Sequence, residues 1–371
     1  MIAACDLAPS HIKAIAAYQP GKPTSELARE FGLDEKNIIK LASNENPLGA
    51  SPAAIQAIER VLSGIALYPD GSGYDFKSAL IEKYSVAREQ IVLGNGSNDV
   101  LELVARAFLT QQDSAVYSQH GFAVYPLAVQ AIGATGILVA ANEFGHDLNA
   151  MAKVVRDDTR IVFVANPNNP TGTFATGDKL LAFLQAIPEQ VIVVLDEAYG
   201  EYLSAELRMD SVGWLKHFPN LVITRTLSKA YGLAGLRVGF ALAHPDVADL
   251  MNRVRQPFNV NSLALAGAEA ALFDADFLAK SAALNRDGLQ QLAQGFKRLG
   301  LSYIPSHGNF ICVDVGDAAA MFQFLLRQGV IVRPVAAYGM PRHLRVSVGL
   351  PQQNERFLAV LADGLKQFPA R

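Results

Sequence analysis

Val191-Ile192-Val193-Val194-Leu195-Asp196-Glu197-Ala198-Tyr199 is the stretch whose reading decides the fold. Its apolar run has no polar alternation, which is the pattern of a strand buried on both faces in a parallel sheet covered by helices. Asp196 follows directly, so the strand delivers a carboxylate at its carboxyl end, and Tyr199 comes three residues later. A carboxylate in that position is dry unless it meets a cation.

Two neighbouring stretches have the same form. Ile161-Val162-Phe163-Val164 runs into Ala165-Asn166-Pro167-Asn168-Asn169-Pro170-Thr171-Gly172, where prolines and a glycine fix a turn that presents side chains to a crevice. Leu221-Val222-Ile223-Thr224 runs into Arg225-Thr226-Leu227-Ser228-Lys229-Ala230-Tyr231-Gly232, with Arg237 eight residues after the lysine. Lysine is the side chain that forms a Schiff base with a carbonyl cofactor, best where desolvation lowers its pKa. The hydroxyls of Thr226 and Ser228 and the fixed charge of Arg237 suit a phosphate close by. Taken alone, Lys229 reads as a surface lysine after a strand; the other stretches change that.

Outward from these, the pattern predicts strands at Ile137–Val139 and Val238–Ala241, the latter in either direction, with helices between most strands. That is a largely parallel sheet with helices on both faces and ligands outside the carboxyl ends. A further strand, Ile91-Val92-Leu93, leads through Gly94-Asn95-Gly96-Ser97-Asn98-Asp99 into an apolar helix. Glycines admit an anion to the free N–H groups of a helix start, which makes Gly96, Ser97 and Asn98 a phosphate site by mechanism. A nicotinamide fingerprint fails, because Asp99 stands where the third glycine belongs. Ser51-Pro52 caps a helix carrying Ile55, Ile58 and Leu62 at helical spacing. The long region from Ser262 to about Leu299 reads as helical without a clear break. Beyond it, Phe310–Val313, Val330–Val332 and Leu344–Gly349 read as strands, with a helix from about Ala318 to Gln328.

In order and spacing, Asn-Pro-Asn-Asn-Pro-Thr-Gly, Asp-Glu-Ala-Tyr, Ser-Lys and the later arginine together resemble the fold-type I aminotransferases that use pyridoxal phosphate. Leu41-Ala42-Ser43-Asn44-Glu45-Asn46-Pro47-Leu48-Gly49, Val332-Arg333-Pro334 and Leu344-Arg345-Val346-Ser347-Val348-Gly349 narrow the resemblance to the histidinol-phosphate branch. It implies an α/β chain with an arm at 1–40 that is part of the small domain, a large cofactor-binding domain at 41–274 and a small α/β domain at 275–371. It also implies a role for each residue. Lys229 would hold the pyridoxal 5'-phosphate covalently and shuttle a proton, Asp196 would pair with the pyridine nitrogen, and Tyr199 and Asn169 would bond the ring oxygen. His120, just before Gly121, would stack on the ring, although by itself it reads equally as a solvated strand-end group. Tyr68, in the turn-rich loop Tyr68–Gly73, would cross a homodimer interface to the neighbour's phosphate. Tyr18, Asn46, Arg333 and Arg345 would bind the substrate; on residues alone, Arg345 reads as a solvated edge charge.

The resemblance implies exchange of an amino group between histidinol phosphate or imidazole acetol phosphate and glutamate or 2-oxoglutarate, in histidine biosynthesis. An aromatic amino-acid aminotransferase and a threonine-phosphate decarboxylase are the rivals on the same scaffold. A cofactor-binding regulator would need a DNA-binding domain, and residues 1–40 are too short and too neutral for one. Composition excludes other classes. The 371 residues are half hydrophobic and carry a net charge of -3, which gives no basic field for nucleic acid. Two cysteines, Cys5 and Cys312, make neither a disulfide framework nor a metal site. No apolar run approaches the roughly 20 residues that span a bilayer, and Met1–Ser10 lacks the pattern of a signal peptide. A cytoplasmic protein is the expectation.

Overall fold

The computed structural model describes residues 4–17 and 21–370, so Tyr18 lies outside the described residues. In chain order the strands are β1 (Ile39–Lys40), β2 (Ile91–Gly94), β3 (Ser114–Ser118), β4 (Thr135–Val139), β5 (Thr159–Ala165), β6 (Ile192–Asp196), β7 (Leu221–Thr226), β8 (Gly239–Ala243), β9 (Tyr303–Ile304), β10 (Phe310–Asp314), β11 (Val330–Ile331), β12 (Arg333–Pro334) and β13 (His343–Ser347).

Side-chain alternation along the apolar runs accounts for the central sheet. Ile161, Phe163, Ile192 and Val194 pack into one apolar cluster, while Val162, Val164, Val193 and Leu195 pack into another on the opposite face. Both faces are therefore dry, and the strands need no polar side. Seven strands pair in the order β2-β8-β7-β6-β5-β3-β4. All neighbours are parallel except β8, which runs antiparallel to β2 and β7. The sequence left that direction open. The reversal brings Gly239, the first residue of β8, opposite both Thr226 and Gly94, beside the carboxyl ends of β7 and β2.

A second, antiparallel sheet has the order β12-β13-β10-β9, and β1 pairs in parallel with β11. Helices Ala275–Arg298, Ala318–Arg327 and Pro351–Gln367 cover it through Leu292, Phe296, Met321, Leu325, Phe357 and Leu361. Ile39 and Leu41 complete the same cluster, so the chain ahead of the large sheet belongs to the core of the small one. The region read as one long helical stretch is broken at Phe273 and Asp274 into Ser262–Leu272 and Ala275–Arg298.

One hydroxyl joins two helix starts. Ser51 Oγ accepts from Ala54 N at 3.3 Å, capping Pro52–Val61, and donates to Asp274 Oδ2 at 2.5 Å. Asp274 in turn caps Ala275–Arg298 by accepting from Phe277 N at 3.1 Å. Replacing Ser51 with alanine removes one cap and leaves a carboxylate oxygen without that donor. The expected loss is about 1–3 kcal/mol, read as a lower thermal midpoint. An unchanged midpoint would show that water replaces both bonds without cost.

Candidate active site

Lys229 sits where β7 turns away from the sheet. Leu227 N donates to Val238 O at 3.1 Å and Gly232 N to Lys229 O at 3.0 Å, so the backbone around the lysine is closed into a fixed turn. Its ammonium donates to Ser43 O at 3.1 Å. Burial, with help from the charge of Arg345, lowers its pKa to about 8. A cleft of about 200 Å³ lies around it, at the carboxyl ends of the parallel strands.

Asp196, last in β6, faces the same cleft and is 5% exposed. Its Oδ2 accepts from Tyr125 Oη at 2.8 Å and its Oδ1 from Thr224 Oγ1 at 3.1 Å, the threonine being its register partner on β7. Burial raises its pKa, and these donors oppose the rise without cancelling it. These donors are neutral and no described residue brings a cation to it, so the carboxylate has a place for a cationic N–H.

A second group of cleft residues surrounds the start of the helix Ser97–Phe108. Ser97 and Asn98 line the cleft beside Thr226, Ser228 and Arg237. Arg237 Nη1 donates to Ser228 Oγ at 3.3 Å. Gly96, at φ 83°, precedes the helix, and a Cβ there would meet Arg237 Nη2 at 2.5 Å. Glycine is thus what allows the guanidinium to approach the free amide groups of the helix start. Cation, hydroxyls and helix terminus converge as they do around an anion.

Arg333 and Arg345 also line the cleft, and they are direct partners across β12 and β13. Arg345 donates through Nη1 to Asn169 Oδ1 at 2.5 Å and through Nη2 to Ala42 O at 2.7 Å. Its buried Nε finds no acceptor among the described residues. Tyr199 accepts from Asn44 Nδ2 at 2.9 Å, and burial pushes its pKa up to about 12, so it is a protonated hydroxyl at neutral pH.

Two expectations are placed differently. His120 is not on the cleft wall: its Nδ1 bonds Tyr338 O at 2.6 Å and its ring stacks on Phe144 at 5.8 Å. Phe122 lines the cleft in its place, because the bond from Gly121 N to Ser118 O turns the chain between them. Asn46 is not free to bind a substrate. Its Nδ2 donates to Ala230 O at 2.9 Å and Ser281 Oγ at 2.8 Å, and its Oδ1 accepts from Leu48 N at 3.0 Å. Asn44, two residues earlier, lines the cleft instead. Tyr68, expected to reach a neighbour's site, is 83% exposed and does not line its own chain's cleft. Among the described residues, no three His, Cys, Asp or Glu side chains could hold a metal ion, and no helix is long and apolar enough to cross a membrane.

The family model for aminotransferase class I and II matches residues 36–361. The chain belongs to that family. It is 61% identical over 363 residues to histidinol-phosphate aminotransferase 2 of Nitrosospira multiformis, covering 98% of this chain and 93% of that protein. It is also 61% identical over 361 residues to the histidinol-phosphate aminotransferase of Methylobacillus flagellatus, covering 97% and 98%. Among solved structures, the histidinol-phosphate aminotransferase of Sinorhizobium meliloti in complex with pyridoxal-5'-phosphate superimposes with a TM-score of 0.88 at 28% identity, covering 97% of this chain and 98% of that one.

The buried amine gives the first test of the site. In the apoprotein, reaction of Lys229 with a small amine-directed reagent, followed by mass spectrometry of its peptide, should show a pH midpoint near 8 in place of 10.5. A midpoint at the ordinary lysine value would show a solvated amine and remove its claim to covalent chemistry.

Proposed function

We propose that the chain is a histidinol-phosphate aminotransferase of histidine biosynthesis that uses pyridoxal 5'-phosphate. It passes an amino group from glutamate to imidazole acetol phosphate, giving 2-oxoglutarate and histidinol phosphate. The observation that carries the substrate reading is the pairing of Arg333 with Arg345 across β12 and β13. Like charges directly opposite on neighbouring strands repel. A doubly charged phosphate with three terminal oxygens relieves that repulsion and gives Arg345 Nε an acceptor, while one carboxylate makes a smaller demand on the same pair.

The residues around Lys229 fit the cofactor. The uncompensated Asp196 carboxylate suits a protonated ring nitrogen, and the part of the cleft lined by Ser97, Asn98, Thr226, Ser228 and Arg237, which Gly96 lets approach the helix start, suits a phosphate. Tyr199 and Asn169 hold the ring's oxygen, and Phe122 takes the stacking place first given to His120. When bound, the cofactor supplies an electron sink for the carbon that loses or gains a proton. Lys229 Nζ, with its lowered pKa, carries that proton away and returns it. Asp196 keeps the ring nitrogen charged, and Arg345 with Arg333 fixes the substrate's anionic end so that the reacting carbon faces Lys229. Residues 41–274 form the cofactor-binding part and 275–371, with the arm, the smaller part. A cytoplasmic place of action belongs to this reading.

The enzyme works as a homodimer. Ile55 and Leu62, at helical spacing, are 44% and 50% exposed, and Ile65, Leu67, Tyr68 and Tyr74 are more so. A second copy would cover this apolar surface. Asp70 holds the loop by accepting from Ser72 N at 2.8 Å and Tyr74 N at 2.7 Å, and the Tyr68 ring stacks on Phe258 at 4.8 Å, which leaves the tyrosine fixed and outward. Tyr68→Phe should leave a dimer in sedimentation but weaken cofactor binding roughly tenfold, as expected for loss of one bond to a charged group. A monomeric unmutated protein would sink the shared-site reading.

A donor panel tests the substrate. Purified protein should prefer histidinol phosphate to histidinol, phenylalanine and tyrosine, with 2-oxoglutarate as acceptor. Arg333→Ala should lower kcat/KM for histidinol phosphate by about 1.5–3 kcal/mol, roughly ten- to a hundredfold, and affect phenylalanine less. Arg345→Ala should damage both. Equal losses in Arg333→Ala would favour an aromatic aminotransferase, and release of carbon dioxide from threonine phosphate would favour the decarboxylase.

A further inference from the structure

Tyr125 belongs to none of the motifs that mark the cleft. It lies in the helix Val124–Ile132, is 0% exposed, and reaches the site through the carboxylate of Asp196, to which its hydroxyl donates at 2.8 Å. Its ring stacks on Phe163 with centroids 4.8 Å apart and planes 10° from parallel, and meets Phe122 edge-on at 5.9 Å. Two aromatic contacts therefore fix the direction of the hydroxyl, and one of them leads back to the cleft wall.

We propose that Tyr125, together with Thr224, is a positioning residue that holds Asp196 in its ionised form and thereby determines where the proton between that carboxylate and the cofactor's ring nitrogen resides. The inference rests on the reading of Asp196 as the partner of that nitrogen. One proton has two places to stay, on the nitrogen facing a carboxylate or on the carboxyl facing a neutral nitrogen. No other atom changes hands. Hydrogen bonds donated to the carboxylate stabilise the first arrangement, because a neutral carboxyl is the weaker acceptor. Burial works in the opposite direction, since a dry site disfavours a separated pair of charges. Burial raises the pKa of Asp196, and the two hydroxyls are the largest influences that oppose the neutral arrangement, ahead of the backbone N–H of Ala198.

Tyr125 is suited to the task because it stays a donor. Burial and the neighbouring Asp196 keep its own proton bound far above neutral pH. Thr224 Oγ1, at 3.1 Å from Oδ1, serves the other oxygen, so each carboxylate oxygen has one hydroxyl donor. A tyrosine that only filled the core would act through its ring, and phenylalanine would replace it fully.

The test uses holoenzyme carrying cofactor labelled with ¹⁵N in the ring, with the nitrogen chemical shift as the readout beside kcat and KM. The unmutated protein should show a protonated ring. Tyr125→Phe should move the shift toward that of neutral pyridine and lower kcat roughly ten- to a hundredfold, with little change in KM for glutamate. Thr224→Val should move the shift the same way, and Thr224→Ser, which keeps the hydroxyl, should not. A shift identical to the unmutated protein in both Tyr125→Phe and Thr224→Val overturns the proposal, whatever happens to thermal stability. If Tyr125→Phe does not fold, Thr224→Val carries the same pair of outcomes. A neutral ring in the unmutated protein would instead sink the reading of Asp196 itself, so the two failures are distinguishable.

Discussion

A carboxylate sealed at the end of β6 with only neutral donors is the constraint on which the site depends. Holding an ionised group away from water costs several kcal/mol unless an opposite charge meets it. Among the described residues no cation meets Asp196: its two side-chain bonds come from Tyr125 and Thr224. The compensation must arrive with something bound. Parallel strands buried on both faces make this arrangement natural, since polar groups have nowhere to go except the strand ends, where the helices do not cover them.

Strand alternation decides which carboxylate has this role. Asp196 lines the cleft and takes a hydrogen bond from its register partner Thr224, while Glu197 and Arg225, the next residue on each segment, lie on the far side as an ion pair of 2.7 Å. The guanidinium of Arg225 also lies over the ring of Tyr84 at 4.8 Å. The same two segments thus present an uncompensated acid to one side and a neutralised pair to the other. A slip of one residue in β6 would exchange them, and the closely packed faces of the sheet forbid it.

That much was legible in the sequence, because it follows from local rules. An apolar run ending in Asp196, a turn fixed by prolines at Asn166–Gly172, and a glycine before a helix at Ser97 each carry their meaning within a few residues. Belonging to the aminotransferases was legible for the same reason, since its motifs are short and ordered. What was not legible depends on single turns and on distant partners. His120 and Phe122 are both aromatic and two residues apart, and the hydrogen bond from Gly121 to Ser118 selects between them. Asn44 and Asn46 share one string, but Asn46 is taken up by Ala230 and Ser281, far along the chain. Asn44 adopts φ 56°, a left-handed conformation that its short polar side chain tolerates. The hydroxyl of Tyr125 meets Asp196 across 71 residues, and no spacing rule reaches that far.

The cleft's arginines also act on one another's neighbours. Arg345 and Arg237 both lower the pKa of Lys229, after burial itself, while Glu45 opposes them. An anion bound at either arginine cancels part of that field. The cofactor phosphate would do so beside Arg237, and the substrate's phosphate or carboxylate beside Arg345 and its strand partner Arg333. Before ligands arrive, the field favours a neutral amine, the form that can attack a carbonyl. Once the anions are seated, the same amine becomes more basic, the form that can take a proton from carbon. Charge recognition at the cleft's edge and proton transfer at its centre would therefore be coupled through a shared field, with Arg345 as the group that touches both.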